Sequence, residues 1–155
     1  MYGKFGQFIN GSWTKSTNET YDVINPANEE VIGKASKANK KDIDLALESA
    51  KNGFEIWKNT TPWERSRIIR KISELIRKKK DILAKWLTLE VGKPLSESKG
   101  EVIGAADIFE WSSEEAKRIY GETLQGRHPN SRMHVYYQPV GVVAALVPWN
   151  FPITL

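Results

Sequence analysis

The chain contains no cysteine. That removes disulfides, thiolate metal sites and a cysteine nucleophile from within it. It holds only two histidines, and His128 has no second ligand or carboxylate at a spacing diagnostic of a metal site or a general base. No apolar run approaches the roughly 18 residues of a membrane span. The opening residues, Met1 to Gly6, lack the apolar core of a cleaved signal peptide. The expectation from these absences is a cytoplasmic protein with no membrane partner. There is no P-loop, G-x-G-x-x-G, H-E-x-x-H or G-x-S-x-G, and no internal repeat. Charge of one sign is not strongly in excess. A net charge of +4 permits acidic partners without demanding nucleic acid.

What remains is a chain of 155 residues, 40% hydrophobic and 27% charged, a composition that fits one soluble globular unit. Its six tryptophans imply sizeable aromatic burial or interface surface. Asn10-Gly11 between Phe8-Ile9 and Ser12-Trp13 predicts a hairpin with a type I′ turn. Tyr21–Ile24, the turn Asn25-Pro26-Ala27-Asn28 and Val31–Ala35 predict two further strands. Together they read as an N-terminal β layer over about residues 7–35, a scaffold whose turns carry Asn, Gly and Pro for backbone reasons.

From Lys41 the period changes to a helical one, and helices are expected over about residues 41–121. Ile43, Leu47, Ala50, Phe54 and Trp57 make the first apolar face. Thr61, Pro62 and Glu64 spell a second helix start with a capping box. An apolar stripe follows, Ile68, Ile69, Ile72, Leu75 and Ile76, opposite a basic face from Arg65 to Lys80. That face can be a nucleic-acid footprint or a solvated helix surface. With no interleaved aromatic or glycine-rich motif, the solvated reading is favoured. Asp81 opens a third helix that Gly92 stops, with Pro94 beyond it. Ser96 or Ser98 is expected to cap a fourth helix with an acidic face of Glu97, Glu101, Asp107, Glu110, Glu114 and Glu115, ended by Gly121. No two of these carboxylates are singled out as an acid–base pair.

After a loop around His128, residues 131–138 predict an alternating strand, with Met133, Val135 and Tyr137 on one side and His134, Tyr136 and Gln138 on the other. Residues 140–147 form a valine-rich run that reads as a buried parallel strand. Pro148-Trp149-Asn150-Phe151-Pro152 follows it. Ligands of open α/β sheets bind just past the carboxyl ends of such strands. By itself Asn150 reads as a turn or helix-cap residue. A parallel strand needs a crossover to reach its neighbour, so the chain reads as the N-terminal part of a longer protein. The alternative is a small α+β domain whose last strand joins the N-terminal ones.

The segment from Gln138 to Pro152, with its PWNFP core, resembles the signature of the NAD(P)-dependent aldehyde dehydrogenase superfamily. FINGSW, INPANEEVIGKAS, LTLEVGKPLSESKGEV and EWSSEEAKRIYGETL support this, and the last is similar to the bacterial succinate-semialdehyde dehydrogenase branch. The resemblance runs from about Phe8 onward and covers the first third or so of a family protein. It implies an α/β fold: the N-terminal part of a Rossmann-like cofactor domain, with residues 131–138 as a strand of the oligomerisation arm. Leu146, Val147, Pro148 and Trp149 then match positions that touch NAD or NADP, and Asn150 matches the asparagine that stabilises the oxyanion. The implied activity is oxidation of a small aldehyde, succinate semialdehyde as the best guess, to a carboxylic acid through a cysteine thioester. No metal and no nucleic-acid partner are implied, and the complete protein is expected to be a homo-oligomer, dimer or tetramer. Without cysteine the chain alone is expected to be inactive, and the rival reading is a non-catalytic interaction fragment.

Overall fold

A computed structural model describes residues 4–14 and 19–155; residues 1–3, part of the opening stretch read above, lie outside them. The N-terminal region forms two small sheets. β1 (Lys4–Phe5) runs parallel to β5 (Val31–Ser36), and β4 (Thr20–Ile24) pairs antiparallel on its other side. β2 (Phe8–Ile9) and β3 (Ser12–Trp13) make the expected hairpin. Asn10 and Gly11 take φ values of 52° and 75° at its turn, the positive pair that a type I′ turn requires. Phe8 and Trp13 face each other across it, edge to face, with ring centroids 5.2 Å apart. β1 had no sequence signal of its own and is recognised only by its pairing with β5.

Four helices follow: α1 (Lys40–Trp57), α2 (Pro62–Lys78), α3 (Lys80–Val91) and α4 (Leu95–Glu115). The capping box belongs to α1, not to α2. Asn39 Oδ1 accepts the Asp42 amide at 3.0 Å and Asp42 Oδ2 accepts the Asn39 amide at 2.9 Å. At α2, Thr61 caps Glu64 at 3.2 Å, but the Glu64 carboxylate turns outward to Arg67. Gly92 stops α3 as expected, at φ 77° with its amide on the Thr88 carbonyl.

Three expectations are corrected on α2 and α4. The face of α2 that packs takes in only part of the isoleucine stripe, the half-buried Ile69 and Ile76. Its buried residues are Ser66 and Ser73, while Ile68, Ile72 and Leu75 stay partly exposed. The partner face of α4 carries Ser98, Val102, Ala105, Ala106 and Ser113. Small residues on both sides allow close approach, and Ser73 Oγ donates to the Ala106 carbonyl at 2.7 Å. Second, neither Ser96 nor Ser98 caps α4. The helix begins after Pro94, whose extended backbone serves as the cap position, and Ser98 lies fully buried with its hydroxyl 2.9 Å from Thr88 Oγ1. Third, α4 ends at Glu115, short of Gly121, because the chain turns at Lys117 and Arg118 through hydrogen bonds to Glu114 and Glu115 carbonyls.

Two residues of the basic face of α2 pair with the acidic face of α4. Arg70 meets Glu110 and Glu114 at 3.2 Å each, and Arg77 meets Asp107 at 2.5 Å and Glu110 at 2.9 Å. The hydrogen bonds that Arg77 donates to the Asp107 and Glu110 carboxylates hold its guanidinium above its ordinary pKa. The solvated-face reading thus becomes an interhelical ion-pair network for Arg70 and Arg77.

At the other end of α4, Lys99 lies 3.0 Å from Asp81 and its hydrogen bond holds that carboxyl below the usual carboxylate range. A depressed folded-state pKa adds stability that is present above the unfolded value of 3.8 and fades as pH falls through the folded value. Asp81→Asn is therefore expected to lose less melting temperature on acidification below that range than the parent, with the parent slightly more stable at neutral pH. Equal losses in a thermal melt series would remove the contribution of this pair.

Beyond α4, β6 (Glu122–Gln125) and β7 (Arg132–Val135) form an antiparallel hairpin. The strand expected over 131–138 is β7, shorter by its ends, and its hairpin partner β6 has no sequence expectation of its own beyond Gln125 at the start of the loop. Residues 140–147 have no regular secondary structure, are exposed except for half-buried Gly141, and form no ladder with any described strand. The expected buried strand is not realised within this chain: a strand needs a neighbour for its amides and carbonyls, and no described segment offers one. For the same reason the alternative in which this run completes the N-terminal sheet is overturned.

Candidate functional site

The site grows from the corner between α3 and α4. Gly92 adopts the left-handed conformation, and Pro94 cannot continue α3. Lys93 is fixed between them, which directs its side chain across the corner. Two turns into α4 stands Glu101, on the face that also carries Ser98, Val102 and Ala105, all buried. Lys93 Nζ and the Glu101 carboxylate form an ion pair whose side chains are 13% and 2% exposed. In the sequence Glu101 is one of six carboxylates on an acidic helix, where exposure is the rule; in the fold it is buried against Lys93.

The PWNFP turn docks on this pair. Lys93 Nζ donates to the Asn150 carbonyl at 3.1 Å and sits 4.1 Å from the Phe151 ring centroid, a cation over an aromatic face. Glu101 Oε1 accepts the Ile153 amide at 3.3 Å. The Phe151 carbonyl accepts the amides of Thr154 and Leu155 at 3.1 Å each, so Phe151, not Asn150, opens the turn. Pro152 comes next and has no amide to satisfy. The Ile153 amide is the first unpaired donor, and Glu101 takes it. Asn150 is not the cap that its neighbourhood suggested, and among the described residues its carboxamide enters no hydrogen bond.

The other expected site residues line up before it on the surface. Leu146 is 97% exposed and Trp149 81%; Val147 and Pro148 are exposed as well. Trp149 and Pro152 border a cleft of about 520 Å³ with Tyr21 to Ile24, Pro26, Ala35, Glu90 and Val91. The turn therefore lies between the N-terminal sheet and the end of α3. Pro26 reaches the same corner: a Cβ on Gly92 would fall 2.6 Å from its Cγ. Gly92→Ala thus combines a left-handed alanine, about 1–2 kcal/mol, with a collision. The expected result is a thermal midpoint several degrees lower, and an unchanged midpoint would remove this account of the corner.

Lys93 and Glu101 were missed as functional residues. A signal for each existed. A lysine held between a helix-stopping glycine and a proline has little freedom, and a glutamate in register with Ser98, Val102 and Ala105 interrupts a buried face, where carboxylates are rare unless paired. Of the histidines, His134 Nδ1 lies 3.1 Å from Thr123 Oγ1 across the β6–β7 hairpin and His128 lies in its loop. Among the described residues no group of three or more histidine or carboxylate side chains is arranged to hold a metal, and no helix is long and apolar enough to cross a membrane.

Comparison with known proteins places the chain in a family. The model of the aldehyde dehydrogenase family matches residues 13–155. A glutarate-semialdehyde dehydrogenase of Pseudomonas putida is 46% identical over 94% of this chain and 30% of its own length. An NADP(+) succinate-semialdehyde dehydrogenase of Escherichia coli is 43% identical over 93% of this chain and 30% of its own. Among solved structures, an NADP-dependent enzyme of E. coli superposes with a TM-score of 0.91 at 42% identity, over 97% of this chain and 32% of that one. A succinate-semialdehyde dehydrogenase from Burkholderia pseudomallei gives 0.89 at 39% identity, over 94% and 30%. The chain spans about 30% of the length of the curated relatives it matches, and with the family model matching residues 13–155 it belongs to the aldehyde dehydrogenase family.

Proposed function

We propose that this chain supplies the oxyanion turn and part of the dinucleotide wall of an enzyme that oxidises a small semialdehyde to a carboxylic acid. The observation that carries the reading is the state of Asn150: its carbonyl is held by Lys93 and the turn after it by Glu101 at Ile153, while its carboxamide is left unused. A carboxamide N–H can donate to the oxygen of an aldehyde as charge builds there, without adding a charge or a titrating proton. NAD(P)+ bound nearby supplies a hydride acceptor. The residues present fit one side of such a group: Leu146, Val147, Pro148 and Trp149 offer exposed apolar and aromatic surface suited to ring contact.

Succinate semialdehyde is the substrate favoured here, with glutarate semialdehyde beside it, because relatives named for both align over nearly the whole chain. The nucleophile must be a cysteine from outside this chain, since none occurs within it. The protein is further read as a cytoplasmic homo-oligomer, dimer or tetramer, assembled through the β6–β7 hairpin. Support comes from that hairpin's exposure on both strands, with Leu124, Met133, Tyr136 and Tyr137 in solvent. The non-catalytic interaction reading rests on the same exposed hairpin.

The test is an assay of the full-length gene product with each semialdehyde and either nicotinamide cofactor, beside residues 1–155 alone. The full-length protein is expected to reduce the cofactor in an aldehyde-dependent manner, and the 155-residue chain to show none. A full-length protein silent towards both semialdehydes and a wider aldehyde panel would leave the interaction reading in its place.

A further inference from the structure

The pair Lys93–Glu101 stands apart from every other ion pair among the described residues. All the others keep at least 35% of each side chain exposed, whereas Lys93 and Glu101 keep 13% and 2%. Burying two charges is costly even when they are paired, and apolar residues of similar size often serve stability as well or better. A pair at such a place calls for a polar task. Its hydrogen bonds beyond itself go to the carbonyl of Asn150 and from the amide of Ile153, and Lys93 also lies over the Phe151 ring.

We propose that Lys93 and Glu101 are positioning residues that keep the Asn150 carboxamide available to the substrate. The argument rests on the oxyanion reading of Asn150. The amide of Ile153 needs an acceptor. If Glu101 did not provide one, the nearest side-chain candidate along the chain is Asn150 itself. Asparagine readily folds its Oδ1 back onto an amide two or three residues ahead. That local bond would turn the carboxamide into a cap for its own turn and away from a reacting oxygen. Glu101 removes the competition by satisfying Ile153 from another helix. Lys93 completes the arrangement: it neutralises Glu101, donates to the Asn150 carbonyl, and covers Phe151, which fixes the carbonyl end of Asn150. Neither side chain contacts the substrate in this scheme. Both act through Asn150.

The experiment uses the full-length enzyme, with succinate and glutarate semialdehyde as probes. The variants are Glu101→Leu, Glu101→Gln, Lys93→Met and Lys93→Arg, each alone and combined with Asn150→Ala. Glu101→Leu removes the acceptor and is expected to lower kcat about a hundredfold, the scale of a misplaced catalytic group, with aldehyde KM and dinucleotide affinity little changed. Glu101→Gln keeps an acceptor oxygen and is expected to retain more activity than Glu101→Leu; Lys93→Arg should likewise exceed Lys93→Met. Added to Asn150→Ala, either Glu101→Leu or Lys93→Met should cost nothing further, because the group they position is gone. Independent losses in the double variants would overturn the proposal, as would wild-type kcat in Glu101→Leu and Lys93→Met. Should Glu101→Leu fail to fold, Glu101→Gln and Lys93→Met in the Asn150→Ala background decide by the same criterion of additivity. If instead Asn150→Ala alone keeps wild-type kcat, it is the oxyanion reading that fails, a separate result from the failure of the clamp.

Discussion

Replacing Asn150 by alanine in the full-length protein is expected to lower kcat by about 100- to 1000-fold, the loss typical of one preorganised oxyanion donor, or about 2.7–4 kcal/mol of barrier. The size follows from what the structure has already arranged. Its backbone is anchored by Lys93, and its turn is anchored by Glu101 and by the Phe151 carbonyl. A donor fixed before the substrate arrives costs no reorganisation when charge develops. Alanine leaves those backbone contacts in place and removes only the amide, so KM should change far less than kcat. Asn150→Asp gives a sharper contrast. It preserves shape but offers a carboxylate to a developing negative charge, and its kcat should be lower than that of the alanine variant. Steady-state kinetics on the three proteins checks both statements, and an alanine variant within a few-fold of the parent in kcat would sink the assignment.

The second large effect concerns the contact that holds α2 against α4. Ala106 is fully buried, and its carbonyl accepts the Ser73 hydroxyl at 2.7 Å. Leucine at 106 inserts three carbons where the two helices meet through serines and alanines. Overpacking of this kind typically costs about 1–3 kcal/mol. Separating the helices also breaks the Ser73 bond, and a buried hydroxyl left without its partner adds about 1–3 kcal/mol. The conservative companion, Ser73→Ala, loses the donor without the bulk and should cost the smaller part alone. Denaturant midpoints of the full-length protein are expected to fall in the order parent, Ser73→Ala, Ala106→Leu. Parent-like behaviour of Ala106→Leu would mean that the helices do not meet at Ala106.

How far the sequence carried can be judged at these same places. Asn10-Gly11, Thr61-Pro62 and Gly92 were legible because each encodes a local backbone event: a positive-φ turn, a capped start, a left-handed stop. PWNFP was legible because its residue types are unusual together. The packing of α2 was not, since a stripe of isoleucines is the stronger periodic signal while the buried face is built from serines and alanines that carry little hydropathy. Glu101 was hidden for a related reason. Among six acidic residues on one helix, only its position relative to Ser98 and Val102, and a lysine eight residues earlier, distinguishes it. The run at residues 140–147 shows the opposite limit. Its composition specifies a strand, but a strand is a relation between two segments, and the described residues contain one.

The bonds that seat the turn join residues 52 and 57 positions apart, and this has a consequence for biosynthesis. Lys93 and Glu101 lie eight residues apart and can meet as soon as the α3–α4 corner has formed. A ribosome adding about 5–20 residues per second needs roughly 3–10 s to deliver the turn after Glu101 has been made. For that interval Lys93 and Glu101 have been made and their turn has not. Asn150 is the last of the three to leave the ribosome, and it docks on a pair that is local in sequence.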